Sequence, residues 1–488
     1  MKWDSSGGSK QGKLRAALLE LVVPITVKPK LVNSNSQENI VLLRNPNRQI
    51  RLWQPLMLIF LILGIWLVLP NQSPAQDHKK ALTLRQAVEM AIKANLDLMI
   101  SREDIQAAQS IKNIRRSNLL PTLNSAYDYR RDDEGRSIGG FAEASRDTYT
   151  FEVSATQPLF RGFELINAYK IADLGVNVAE LNEKLTRLNV IFDIKNAYFT
   201  VLKNQKLALV ARDTVKNLEA QEEVAKNFYE VGMTPLNDLL QVQVRVANAK
   251  QNLIVAKNNL QIAESQFNII LRRPVNTPVQ ITDIQKYAAL ENDIDHYLSE
   301  ADKNRLDIKV ADLQIEIAEK DLEVAKKDYY PALTLSGNYF RVGEDPDVSG
   351  GDGIFDDKGW SISATASWDF WEWGRTHYGK KEKLSRLAQT RYNKEVVQDR
   401  ADLEVKTAYL KTIESEKNIV TVEKALVQAK ENLRINEERY KEQVATSTDV
   451  LDAQTLLTIT QTNYVNALYD FKIARAALQR AISLEVLE

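Results

Sequence analysis

YEVGMTPLNDLLQVQVRVANAKQNLIVAKNNLQIAESQFNII, residues 229–270, decides the fold because the chain contains it twice. Moved 211 positions along, it falls on YKEQVATSTDVLDAQTLLTITQTNYVNALYDFKIARAALQRA, residues 440–481. Tyr229 then matches Tyr440, Asp238 matches Asp449, Leu240 matches Leu451 and Gln243 matches Gln454. Both copies carry a stripe with steps of four and three. In the first it runs Val242, Val246, Ala249, Leu253, Ala256, Leu260, Ala263, Phe267, Ile270, and in the second Ala453, Leu457, Thr460, Tyr464, Ala467, Phe471, Ala474, Leu478, Ala481. A repeat near 3.5 residues keeps one stripe against a partner helix and implies a left-handed supercoil.

The duplication extends outward from this stretch. With an offset of 210, Leu96-Asp97 falls on Leu306-Asp307, Ile105 on Ile315 and Pro121 on Pro331. Two similar halves result, 76–285 and 286–488. Between the duplicated pieces run stretches 162–231 and 374–442, helical in pattern and without proline. Each would be roughly 100 Å long as one helix. The shorter helices, near 97–118 and 236–271 in the first half and ending with 447–484 in the second, sum to nearly that length and can flank a long helix end to end. Leu82–Asn95 adds a short amphipathic helix near the start.

After Pro121 and Pro331 the period changes from helix to strand. Leu123, Ser125, Tyr127 and Tyr129 share one face; Tyr149, Phe151, Val153, Ala155 and Leu159 share another, opposite Thr150, Glu152, Ser154 and Thr156. In the second half Trp360, Ile362, Ala364, Ala366, Trp368 and Phe370 alternate with small polar residues. The strand pairs are expected over 121–160 and 331–372, with polar Gly-rich loops at 131–147 and 342–359. Strands of about 10 residues, apolar and aromatic on one face and polar on the other, are the pattern of a membrane β-barrel. Trp360, Trp368, Trp371 and Trp373, with Tyr149 and Phe151, would form an interfacial girdle. Four strands cannot close a barrel around a channel; three chains would supply twelve, and closure removes edges that lipid would leave unsatisfied.

Composition sets limits. Residues 1–55 hold nine Lys and Arg against three Asp and Glu, a local net of +6, and with a chain net of −1 the rest carries −7. That balance argues against nucleic acid as a partner. Leu56–Leu69 is an uncharged apolar run, short of the about 20 residues a spanning helix needs, and Ser73-Pro74-Ala75 follows it. Residues 1–75 are thus expected to be a secretory signal with a long basic n-region; the alternative is an uncleaved anchor, and a leader of that length leaves open whether residues 1–45 are translated. There is no cysteine, so disulfides, thiol catalysis and a lipidated N-terminal cysteine are excluded. His78, His296 and His377 are widely separated, and no P-loop, dinucleotide fingerprint or G-x-S-x-G occurs, so neither an enzyme, a cofactor nor a structural metal is expected.

These residues together resemble the TolC-like outer-membrane efflux and type I secretion channel family. The resemblance rests on LTLRQAVEMAIKANLDL, LLPTLNSAYDY, ATQPLFRG and the paired turns YEVGMTPLND and YKEQVATSTDVLDAQ, and covers about 80–484. It implies a mainly α fold, with long antiparallel coiled-coil helices and four membrane strands per chain. A homotrimer would form a 12-stranded barrel on a 12-helix periplasmic tunnel. It further implies a passive exit duct in the outer membrane, docked on a periplasmic adaptor (membrane fusion protein) and an inner-membrane pump or ABC exporter. The region from Leu271 to about Asp293 would contribute to a small equatorial domain.

The resemblance also assigns residues. Asp449 and Asp452, three apart on one helix face, match aspartates that line the closed aperture and bind cations; their plain alternative is dipole-stabilising helix-start carboxylates. Asp238 and Tyr440 match an inter-helix tether. Ala445 stands where some members have an arginine, and Gln443 where the second turn usually has glycine, so fewer polar ties are expected. Val231, Gly232 and Met233 match the adaptor-contacting tip, though Gly232 also suits a plain left-handed helix stop. Two other readings remain, a periplasmic adaptor and a structural envelope-spanning coiled coil; the paired halves with aromatic strands disfavour both.

Overall fold

The computed structural model describes residues 81–487 apart from 134–135, 139–140, 145, 285–288, 291, 352–353 and 355; the expected leader lies outside the described residues. The described residues are mainly helical, with a four-stranded antiparallel sheet and a separate two-stranded hairpin. In chain order the first half holds α1 (Leu84–Ala94), α2 (Leu96–Ser117), β1 (Thr122–Arg131), β2 (Arg136–Ile138), β3 (Phe141–Ala144), β4 (Asp147–Arg161), α3 (Glu164–Glu230) and α4 (Leu236–Ile270). The second holds α5 (Ile294–Asn304), α6 (Leu306–Val324), β5 (Ala332–Gly343), β6 (Lys358–Ser367), α7 (Arg375–Lys441) and α8 (Ser447–Ala481).

α3 and α7 are 67 residues each, and the shorter helices lie along them as the lengths require. α2 and α4 pack on α3, while α6 and α8 pack on α7 and also reach α3. The 3.5-residue stripe is where the burial falls: Val242, Val246, Ala249 and Phe267 in α4, and Ala453, Leu457, Ala467, Phe471 and Leu478 in α8. The thickest packing is midway along α3, where Ile194, Tyr198 and Leu202 meet α1 through Val88 and Ala91, α4 through Phe267 and α8 through Tyr469. There the Tyr198 hydroxyl donates to the carbonyls of Leu82 (3.1 Å) and Thr282 (2.6 Å), tying the Leu82↔Ile281 bridge to the helices. A smaller counterpart surrounds Val405 of α7, with Ala301 of α5 and Leu478 of α8.

The helix breaks are duplicated too. Asn95 and Arg305, 210 apart, both leave helical geometry, with ψ of 132° and 125°. Asn95 caps α2 through its side chain, accepting from Asp97 N (2.8 Å) and Leu98 N (3.2 Å). Arg305 instead reaches Asp307, Glu404 and the Ala481 carbonyl, 2.9 Å away, and is almost wholly buried.

The sheet order is β1-β4-β5-β6, all antiparallel. Register places Tyr127 beside Phe151, Phe151 beside Arg341, Val153 beside Tyr339, and Tyr339 beside Trp360. Leu123, Tyr127, Val153, Leu335, Trp360 and Ile362 therefore share one exposed face, and Asn124, Ser154, Ser336 and Ser363 the other. Three details depart from the sequence expectation. The segment 131–147 is not only loop, since β2 and β3 form a second hairpin within it. A bulge at Pro158 displaces Leu159 from its expected alternation and puts Phe160 opposite Leu333; a proline without an N–H is tolerated in a strand at such a bulge. β6 ends at Ser367 rather than near 372, because its partner β5 begins at Ala332 and nothing remains to pair with Trp368.

Strand passes to helix through a left-handed pair in each half: Gly162 and Phe163 before α3, Trp373 and Gly374 before α7. A Cβ on Gly162 would lie 2.2 Å from the Lys327 carbonyl oxygen, so this corner admits only glycine.

Candidate functional site

At the end of the helices farthest from the sheet, both hairpin turns close in the same way. After α3, Gly232 N donates to Tyr229 O (2.9 Å) and Met233 N to Phe228 O (2.8 Å), with Gly232 at φ 76°. After α7, Gln443 N donates to Tyr440 O (3.0 Å) and Val444 N to Arg439 O (2.8 Å), with Gln443 at φ 61°. Both are Schellman stops. The second has a glutamine where a left-handed backbone favours glycine, so the turn shape is kept at a cost in strain. A Cβ at Gly232 would meet nothing within 4 Å, so backbone angle alone selects that glycine. Val231, Met233 and Val444 are exposed around the turns, and Gln443 Nε2 lies 3.9 Å from Met233 Sδ, linking the two hairpins.

The starts of α4 and α8 differ. Thr446 and Asp449 form a reciprocal capping box: Asp449 N donates to Thr446 Oγ1 (3.2 Å), and Asp449 Oδ2 accepts from Thr446 N and Oγ1 at 2.8 Å each. Those hydrogen bonds hold the Asp449 carboxyl below its ordinary range, with Arg439 assisting. The equivalent position in the first copy is Pro235, which has neither N–H nor hydroxyl, so Asp238 makes no such box.

Asp449 and Asp452 are both exposed, while Val450, Leu451 and Ala453 between and beside them are buried. Asp452 Oδ1 lies 3.9 Å from Arg245 on α4. Thr448 donates to Gln241 Oε1 at 3.4 Å, a second contact between α8 and α4. Tyr440 is buried, its ring 5.4 Å from that of Phe228, and its hydroxyl has Ser447 of α8 as its polar neighbour, without a hydrogen bond of ordinary geometry. Burial first, then the charge of Asp238, pushes its phenol above the ordinary value. Asp238 thus acts on Tyr440 through its field, without a hydrogen bond between them.

Sequence reasoning missed Arg245, Gln241 and Thr448. The capping box did have a signal, a threonine three residues before an aspartate at a helix start.

At the other end, Trp360 stands in β6, while Trp368, Trp371 and Trp373 lie in the connection to α7, all exposed. Trp371 and Trp373 meet edge to face at 5.6 Å. Tyr149 and Phe151 are half-buried on the same face of β4. Among the described residues no helix is long and apolar enough to cross a membrane, and no group of His, Cys, Asp or Glu could hold a metal ion.

A family model described as "Outer membrane efflux protein" matches residues 87–271 and 297–483, one match per half. The chain is similar to outer membrane efflux protein BepC of Brucella suis biovar 1 (strain 1330), 22% identical over 82% of this chain and 85% of the relative. It is also similar to outer membrane protein TolC of Escherichia coli (strain K12), 22% identical over 83% of this chain and 82% of the relative. Among solved structures, the Campylobacter jejuni CmeC outer membrane channel superposes with a TM-score of 0.73 at 17% identity, covering 82% of this chain and 85% of that one. VceC from Vibrio cholerae gives 0.72 at 18% identity, covering 82% and 96%.

Proposed function

This chain belongs to the outer membrane efflux protein family, and on that premise we propose that it is the exit duct of a tripartite efflux pump or type I secretion system. It would conduct substrates passively from a periplasmic adaptor and inner-membrane transporter to the outside. The observation that carries the reading is the sheet: four strands with one aromatic face, and with β1 and β6 left as edges within the chain. A homotrimer would pair β1 of one chain with β6 of the next and close twelve strands in lipid, removing all unpaired edges.

Within that duct the turns at the helix ends form the periplasmic aperture. Asp449 and Asp452 from three chains would converge there, where clustered carboxylates attract cations. Val231, Gly232 and Met233, apolar and protruding, would meet the adaptor. No arginine occupies position 445, and the polar ties of the closed state would be Arg245–Asp452 and Gln241–Thr448 instead. Asp238 and Tyr440 would tether the same turns electrostatically.

The reading is tested by fractionating membranes and reconstituting the purified protein in planar bilayers. Heat-modifiable trimers in the outer-membrane fraction that form channels are expected. Recovery only from the inner membrane would overturn the duct.

A further inference from the structure

The duplication that shapes the two halves also constrains how a second copy of the chain can meet this one. In each half the two long strands form a hairpin, and the two hairpins share one register. Thr122 opposite Thr156 in the first becomes Ala332 opposite Ser367 in the second, shifts of 210 and 211 residues. Tyr127 opposite Phe151 becomes Gly337 opposite Ile362 by the same shifts. β5 is thus the duplicate of β1, and β6 of β4. Between the halves β4 pairs with β5 in a third register, Thr156 opposite Ser336. That pairing has no duplicate inside the sheet, where β1 and β6 are the edges. Both edge strands are exposed along nearly their whole length, while β4 and β5 are mostly half-buried.

We propose that β6 pairs with β1 of the next chain in the duplicate of the β4–β5 register, with Ser367 opposite Ala126 and Asp369 opposite Asn124. The inference rests on the homotrimeric duct above and adds the register of its seams. The two edges differ, so the contact is head to tail and closes as a ring. A slip of one residue would set the apolar face of one strand beside the polar face of the other, so only slips of two compete. The seam also completes β6. Within the chain β1 begins opposite Thr156, yet β4 runs on to Arg161 because β5 pairs with it that far. β6 likewise loses β5 at Ser367, and β1 of the next chain would carry it past Trp368. At the corner below, Tyr330 packs edge to face on Phe160 at 6.1 Å. The duplicates of those two residues, Leu120 and Trp371, are both exposed and would meet across the seam. The turns before β1 and β5 match, Leu120 N donating to Ser117 O and Tyr330 N to Lys327 O. Trp373 stands where the first corner has Gly162, so Ser117 of the next chain must stay farther off than Lys327 does from Gly162.

The chain has no cysteine, so introduced pairs report alone. Full-length protein in detergent carries Ala126→Cys with Ser367→Cys, or Asn124→Cys with Asp369→Cys, and is oxidised with copper phenanthroline before a non-reducing gel. Two slipped pairs serve as controls, Asn124→Cys with Ser367→Cys and Asp128→Cys with Ser367→Cys. Facing residues of an antiparallel pair have Cα atoms about 4.5–5.5 Å apart, within disulfide reach. Inside one chain β4 and β5 separate β1 from β6, about 14 Å at the usual strand spacing, so a disulfide can join only neighbouring chains. Both in-register pairs are expected to give reducible covalent trimers at least about tenfold faster than either slipped pair, whose diagonal spacing exceeds that reach. Fastest linking by a slipped pair overturns the register and leaves the trimer standing. No linking by any pair, in protein that sediments as a trimer, overturns the β1–β6 seam. Protein that sediments as a monomer overturns the seam and the duct together.

Discussion

The contact between Arg245 and Asp452 gives the sharpest test of how the aperture stays shut. It joins α4 to α8 at 3.9 Å, with side chains about half and two-thirds exposed. A pair so placed contributes about 0.5 kcal/mol per copy. In a trimer whose aperture opens as one unit, three copies give about 1.5 kcal/mol, roughly tenfold in the ratio of closed to open states. Arg245→Gln is therefore expected to raise open probability in planar bilayers by up to about tenfold at low salt, and by much less at 1 M, where screening already weakens the pair. Asp452→Asn should do likewise while also lowering cation affinity at the mouth. The double substitution should open no further than the more open single, since one interaction is lost either way. Fully additive effects of the two substitutions, or a salt-independent effect of Arg245→Gln, would show that the pair is not a tie.

Three other substitutions bear on the same architecture. Asp238→Ala removes the charge that raises Tyr440, so the phenol should titrate lower by ultraviolet absorbance and conductance should rise; an unchanged conductance refutes the tether. Gln443→Gly relieves a left-handed side chain and should stabilise the second turn by about 1 kcal/mol, whereas Gly232→Ala should cost the first turn a similar amount, both read by amide exchange at the turns. Asp307 is half-buried, which alone would raise its pKa, but the Arg305 hydrogen bonds and charge outweigh this and lower it. Its contribution is therefore present above the ordinary carboxylate range and lost as pH falls from about 4 through the folded value. Asp307→Asn should flatten that part of a thermal-melt series, and an unaltered acid slope would count against the pairing.

The helices and the faces of the strands were legible because each is a periodic pattern. A 3.5-residue stripe persists over about eight turns, and alternation predicts which residues of β4 share a face without knowing their neighbours. What escaped depends on pairing between distant positions. The alternation in Trp360–Phe370 runs on in sequence past the end of β6, but a strand lasts only as long as its partner, and β5 starts at Ala332. The bulge at Pro158 is set by the register with Thr334 and Leu333, so parity alone misplaced Leu159. Arg245 had no sign of its own: it is one of many cations on exposed helix faces, and its meaning comes from a residue 207 positions away on another hairpin.

The divergence between the two copies lies in charge placement more than in backbone. Gly232 and Gln443 both turn left-handed, so losing a glycine did not change the turn. Pro235 and Thr446 occupy the same position, and this difference decides what each aspartate can do. Thr446 supplies the donors that capture Asp449, which is spent on starting α8 and stays ionised. Pro235 supplies none, so Asp238 keeps its charge for Tyr440 across the hairpins. One aspartate is thus fixed within its own helix while its duplicate acts between helices, and a proline-for-threonine exchange suffices to separate the two roles.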